Sequence, residues 1–259
     1  MLHDPIERLA ATLALSPTEL AICTVAVFVA ALVRGFSGFA LSALIMASLA
    51  PILSPVALIP VCWTLEAVAS LLMFRGGVRA ADWRIVRGLA IGSLVGVPLG
   101  LQATLALPPD ASRVVALCLV ALLATLQLAR KAPAFLGTRT GLYVSGLLAG
   151  VVTGLASLGG MIVALYVLAR DAPPARMRAS LVMFLLVGTF TTGLWLAVSG
   201  VLDRLALARG AAFSLPVALG VMLGSALFRP ALQGLYRRFC LVLLLALAVA
   251  GLVRLALGS

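Results

Sequence analysis

The chain has 259 residues, 63% of them hydrophobic and only 10% charged, with a mean hydropathy of +1.22. Soluble domains are about 45–50% apolar, so this chain lacks the polar surface to cover a globule in water. Its formal charge of +11 does not point to nucleic acid, because the basic residues are almost all Arg, spread through short connections between apolar runs, with no basic block beside an aromatic platform.

Residues 1–18 form an N-terminal tail or interfacial helix. Asp4, Glu7 and the following Glu19 outweigh Arg8, the reverse of the positive start that a cleaved secretory signal needs. Next comes an apolar stretch from Leu20 to Ala50, about 30 residues, which is too long for one comfortable crossing and marginal for two. It is interrupted at Gly35-Phe36-Ser37-Gly38, and clustered glycines are where a helix breaks at tolerable steric cost. Three windows long enough to cross a bilayer follow: Pro55 to Phe74, Val86 to Leu107 and Ser112 to Ala129.

The same order then repeats. A second long apolar stretch, Gly141 to Ala169, is broken at Gly154 to Gly160, and the windows Ser180 to Ser199, Arg209 to Phe228 and Phe239 to Leu257 follow it. Loop charges set the orientation, since cytoplasmic loops are enriched in Lys and Arg. Arg75, Arg79, Arg84 and Arg87 mark one such loop; Arg130, Lys131 and Arg139 a second; Arg170, Arg176 and Arg178 a third; Arg229, Arg237 and Arg238 a fourth. The weakly charged Pro108 to Arg113 and Asp203-Arg204 connections then lie outside. These alternate only if each broken stretch is a hairpin of two short arms that returns to its starting side.

The expected fold is therefore all-α and polytopic, with two inverted repeats, each a broken-helix hairpin plus three transmembrane helices. The expected division is tail 1–18, membrane repeat 19–130, cytoplasmic linker 131–140 and membrane repeat 141–257. Gly35 matches Gly154 and Pro55 matches Pro174 at one constant offset. Gly96-Val97-Pro98-Leu99-Gly100 matches Gly220-Val221-Met222-Leu223-Gly224, and the run from Arg113 matches the run from Arg238, at nearly the same offset.

Paired breaks in inverted halves point to a midplane substrate site, and the backbone N–H groups that open each second half-helix suit a small anion. The candidate substrate-binding residues are Arg34, Gly35, Ser37, Gly38, Thr153, Gly154, Ser157, Gly159 and Gly160, with Ser42 as a further hydroxyl. The competing reading of the glycines is close helix packing. Glu66 is the one acid well inside a predicted crossing, which makes it the candidate for proton coupling, and Arg34 is its candidate partner. At the position matching Glu66 the second half has Leu185. Trp63, Trp83 and Trp195 read as interfacial anchors, Trp83 best of the three, and Gln102, Gln127, Thr191 and Thr192 as helix-to-helix hydrogen bonds. Cys23, Cys62, Cys118 and Cys240 stand singly in apolar runs, and His3 is the only histidine. No metal site, catalytic residue or cofactor is expected from this set.

Arg34-Gly35-Phe36-Ser37-Gly38-Phe39-Ala40 with the downstream Pro51 to Pro60 stretch, and Gly154 to Gly160 with the Pro174 to Ser180 loop, resemble the TauE/SafE family of sulfite-exporter-like membrane proteins. The likeness runs over about residues 19 to 257. It implies a secondary transporter, a multi-pass permease of the bacterial inner membrane for a small anion such as sulfite, a sulfonate or a related organic acid. The partners expected are that anion and the lipid bilayer, with no nucleic acid; a homo-oligomer is compatible with the sequence. A passive anion channel is the nearest alternative, and a membrane assembly protein a more distant one. An intramembrane enzyme would need a catalytic set that one terminal His and one buried Glu do not supply.

Overall fold

The computed structural model of the protein describes residues 3–129, 134–168, 174–228 and 233–257. Arg130, Lys131, Arg170 and Arg229, used in the loop-charge argument, lie outside the described residues, as does the first part of the 131–140 linker. The helices are α1 (His3–Thr12), α2 (Pro17–Ser37), α3 (Leu41–Leu49), α4 (Pro55–Ala80), α5 (Trp83–Ala106), α6 (Pro109–Leu128), α7 (Arg139–Ala156), α8 (Gly159–Leu168), α9 (Pro174–Val198), α10 (Arg204–Ala226) and α11 (Gln233–Ala256), with one 3-10 turn at Ala134–Gly137. All but α1, α3 and α8 are long and apolar enough to cross a bilayer. The protein is thus an all-helical, multi-pass membrane protein.

Local sequence explains where these helices start. Ser16 and Glu19 form a capping box at α2, with Pro17 at its first position. Asp82, Thr138 and Asp203 each accept backbone N–H bonds at the starts of α5, α7 and α10. Pro55 and Pro109 open α4 and α6, where a missing N–H costs nothing.

The two interruptions differ from the sequence expectation in one respect. One short arm was expected on each side of a break, yet the first arms, α2 and α7, have 21 and 18 residues, and only the second arms, α3 and α8, are short, with 9 and 10. The cause is where the chain turns left-handed. Gly38 (φ 81°) and Ala40 (φ 78°) stop α2, and Ser157 (φ 57°) stops α7, whereas Gly35 and Gly154 remain inside their helices. The short arms are the most enclosed elements: Leu41 to Ala47 and Gly159 to Met161 are all buried, as a helix apolar on every side must be.

Glycine faces set the tightest contacts. A β-carbon at Gly35 would stand 2.6 Å from the Val221 carbonyl oxygen on α10, and one at Gly220 would stand 2.7 Å from that of Phe28 on α2. On the other side of the bundle, a β-carbon at Gly92 of α5 would meet the Tyr143 carbonyl at 2.5 Å, and one at Gly150 of α7 the Ser93 carbonyl at 2.6 Å. Small residues let these backbones touch. The residue order fixes direction as well: Phe28 and Leu32 meet Gly220 and Gly224, so α2 runs with α10, while Leu142 and Val151 meet Gly88 and Gly100, so α7 runs with α5.

One end of the bundle carries two arginine clusters. Arg79, Arg84 and Arg176 line one groove there, and Arg178, Arg237 and Arg238 line a second pocket. The Asp82 amide donates to the Ser180 hydroxyl at 2.9 Å, joining the starts of α5 and α9 at this end. At the opposite end Arg113 pairs with Asp110 at 2.7 Å, and Arg209 donates to the Leu13 carbonyl at 2.9 Å.

Candidate functional site

Between the two breaks lies a cavity of about 50 Å³, room for a few waters or one small ion. One wall comes from Ala40, Ser42 and Ala43 at the first break, and the facing wall from Thr153 and the run Ser157 to Met161 at the second. Glu66 and Trp63 of α4, Ser93 of α5, and Leu185, Thr189 and Thr192 of α9 close the sides.

The two breaks are not chemically equivalent. At the first, the Glu66 carboxylate accepts from the Ser42 hydroxyl at 3.0 Å and lies 3.4 Å from the Ser42 amide, so the N-terminus of α3 already has an anion. Arg34 holds that carboxylate from the other side, Nε to Oε2 at 3.1 Å. The same guanidinium donates to the Ser70 hydroxyl at 3.1 Å and to the Gly38 carbonyl that the break leaves free. Arg34 is completely buried and the Glu66 side chain 13% exposed, an ion pair that survives burial because nearly every donor and acceptor is matched.

The offset that relates Gly35 to Gly154 carries Arg34, Glu66 and Ser70 onto Thr153, Leu185 and Thr189. Gly38 falls on Ser157, the left-handed residue of the second break. Leu185 occupies the place of Glu66: its terminal carbons lie 3.6 Å from where a β-carbon of Gly160 would stand, in the first turn of α8. Leu185 brings no carboxylate to the start of α8, and Gly159 and Gly160, which open that helix, line the cavity with its positive end. Ser93, Ser157 and Thr192 also line the cavity, and their hydroxyls make no hydrogen bond among the described residues, whereas Thr153 and Thr189 donate to Ala149 and Leu185 within their own helices.

The sequence candidates therefore do not all share one place. Thr153, Ser157, Gly159, Gly160 and Glu66 line the cavity. Arg34 stands behind Glu66, and Gly38 packs against Arg178, whose side chain a β-carbon there would meet at 2.7 Å. Gly35 and Gly154 are turned to α10 and α5 and do not line the cavity. Ser37 is buried, with its hydroxyl closed on the Phe39 carbonyl at 2.7 Å, and it borders the arginine pocket.

Several lining residues carried no signal in sequence. Ser93 sits among apolar residues of α5, and Thr192 was expected to join helices, yet both face the cavity. Trp63 was expected at an interface and is instead half-buried on the cavity wall, its indole N–H donating to the Thr189 carbonyl at 2.8 Å. Trp83, exposed beside the basic loop, is where an interfacial anchor belongs. Gln127 does join helices, donating to the Met161 carbonyl of α8 at 3.2 Å, and Thr191 bonds within α9 to Gly188.

Comparison with curated proteins and with solved structures returned no match. The family model described as Sulfite exporter TauE/SafE matches residues 23–251, a span that includes both breaks, both short arms and every residue that lines the cavity. On that match, the protein belongs to the TauE/SafE sulfite exporter family, a family of membrane transporters.

Proposed function

We propose that the protein is a proton-coupled secondary transporter of a small oxyanion of the size of sulfite, in the bacterial inner membrane, with the basic end of the bundle in the cytoplasm. The observation that carries this reading is the asymmetry of the breaks: α3 is capped by the protein's own carboxylate, and α8 faces the same cavity without one. The anion binds at the first turn of α8, at Gly159 and Gly160, and takes hydroxyl donors from Ser157, Ser93 and Thr192. The small volume favours a compact inorganic anion over a bulky sulfonate.

Glu66 shares that cavity. An anion bound near it favours its protonated form, because like charges disfavour ionisation; by linkage, a proton on Glu66 favours the anion. The two then cross together. The opposed directions of α2 and α7, each running with a helix of the other half, support an inverted repeat whose halves rock about this cavity.

The test is sulfite flux into proteoliposomes at varied internal and external pH. Wild type is expected to give saturable flux that accelerates with a proton gradient, and Glu66→Gln flux that persists but no longer responds to pH. Non-saturable flux would indicate a channel. Wild-type pH response in Glu66→Gln would remove Glu66 from proton coupling.

A further inference from the structure

We propose that the arginine-lined pocket at the basic end is a second anion site, an inner docking station for a singly protonated oxyanion on its way to or from the central cavity; as a station on a transport path it rests on the function proposed above. The pocket has a volume of about 660 Å³ and lies where α2, α6 and α8 end and α9 and α11 begin. Arg178, Arg237 and Arg238 line it, and no carboxylate is among its described lining residues.

Charge at a membrane edge is ordinary, but this charge is held in place. Arg178 donates to the Gly35 carbonyl, and its guanidinium lies 4.6 Å from the centre of the Phe228 ring. Its Nε is buried with no hydrogen-bond partner. A fork anchored in this way loses little freedom when it binds a planar or tetrahedral oxyanion. Arg238 repeats the pattern seen at the central cavity. It matches Arg113 of the first half, which is tied to Asp110 three residues before it; three residues before Arg238 stands Leu235. In both places a carboxylate of the first half is a leucine in the second, and positive potential is left for a ligand.

Gln127 narrows the ligand. It is 1% exposed and lines the pocket, its amide N–H is used on Met161, and its Oε1 has no partner. A buried carbonyl without a donor is costly, and a monoprotonated oxyanion brings both the charge for the arginines and an O–H for this oxygen. A lipid phosphodiester brings the charge, but its own oxygens carry no proton. Phe39, 4% exposed, lines this pocket, while its neighbour Ala40 lines the central cavity. The two sites thus lie on either side of one residue.

The test is equilibrium dialysis of radiolabelled sulfite against the full-length protein in nanodiscs of phosphatidylcholine. Wild type is expected to bind two sulfites per chain. Arg238→Gln is expected to weaken one of them about tenfold, the worth of one charge-assisted hydrogen bond, and Arg238→Glu to abolish it, with the other unchanged; Arg238 is exposed, so both variants are expected to fold, and their melting temperatures check this. Ser157→Leu should remove only the other one. If Ser157→Leu changes nothing while Arg238→Glu still removes a sulfite, the central-site reading fails and the docking site stands. Wild type that binds no sulfite, or binding indifferent to both Arg238 variants, would overturn the docking site; a single sulfite lost in Arg238→Glu would leave it standing and remove the central one. So would displacement of the Arg238-dependent sulfite by phosphatidylglycerol added to the discs, since the pocket would then be a lipid headgroup site.

Discussion

Arg34 shows how one residue ties local backbone, packing and chemistry together. Left-handed geometry at Gly38 takes its carbonyl out of the helix ladder, and Arg34, one turn earlier, gives that oxygen a donor while its Nε holds Glu66. Removing the side chain leaves a mostly buried carboxylate with Ser42 as its remaining side-chain partner, a change that costs about 3–5 kcal/mol in comparable buried pairs. Arg34→Ala is therefore expected to lower the melting temperature of the detergent-solubilised protein, and Arg34→Lys to recover part of it, since Lys keeps the charge but not the fork that reaches Ser70 as well. In a double-mutant cycle, Arg34→Ala with Glu66→Gln should cost less than the sum of the two, because the second change removes the stranded charge. Strict additivity would show that the pair contributes nothing as a pair.

At the scale of elements, the glycine helices divide labour between break and contact. On α5 and α7 the backbones approach so closely that a β-carbon at Gly150 would stand 2.6 Å from the Ser93 carbonyl, and overpacking a close contact of this kind costs about 1–3 kcal/mol. Gly150→Leu is expected to lower thermal stability accordingly. Gly188→Ala, where nothing beyond its chain neighbours and its own helix backbone lies within 4 Å of the added carbon, is expected to leave stability unchanged or slightly raised, as Ala favours a helix by about 0.5–1 kcal/mol over Gly. Equal melting temperatures for the two variants would mean that the α5–α7 contact yields without cost.

This division also explains what the sequence could and could not tell. The six unbroken crossings, both breaks and the Arg34–Glu66 pairing were legible, because apolar length, left-handed-tolerant residues and a rare intramembrane acid each have few physical meanings; the full length of α2 and α7 was not. The roles of Gly35 and Gly154 were not. A glycine that breaks a helix and one that lets a helix touch another look the same in one dimension, and the partner that decides, Val221 for Gly35 and Leu101 for Gly154, is remote in the chain. Ser157 was legible as a hydroxyl but not as the stop of α7, since serine takes φ 57° only where its surroundings insist on it. Ser93 had no signal at all and Thr192 none for the cavity; a lone hydroxyl in an apolar helix acquires a role only from what it faces.

For the whole molecule, the distribution of arginine decides which way the proposed path points. Arg79, Arg84 and Arg176 share one groove and Arg178, Arg237 and Arg238 another at the same end. Because α7 runs with α5, Arg139 also starts its helix there, while the Asp110–Arg113 pair marks the far end. Cytoplasmic loops collect such charge, so the arginine pocket is expected to open to the cytoplasm and the α8 break to lie nearer the outside. Substituted-cysteine labelling tests this directly. Of the four native cysteines only Cys118 is exposed, so a Cys118→Ser background gives low reactivity. In intact cells a membrane-impermeant maleimide should label Asp110→Cys readily, and should label Arg79→Cys and Arg139→Cys only after the membrane is permeabilised. The inverse pattern would turn the molecule over, and the arginine pocket would then collect anions from outside. Labelling of Arg79→Cys and Arg139→Cys from different sides would break the parallel run of α5 and α7, and the paired-break cavity would go with it.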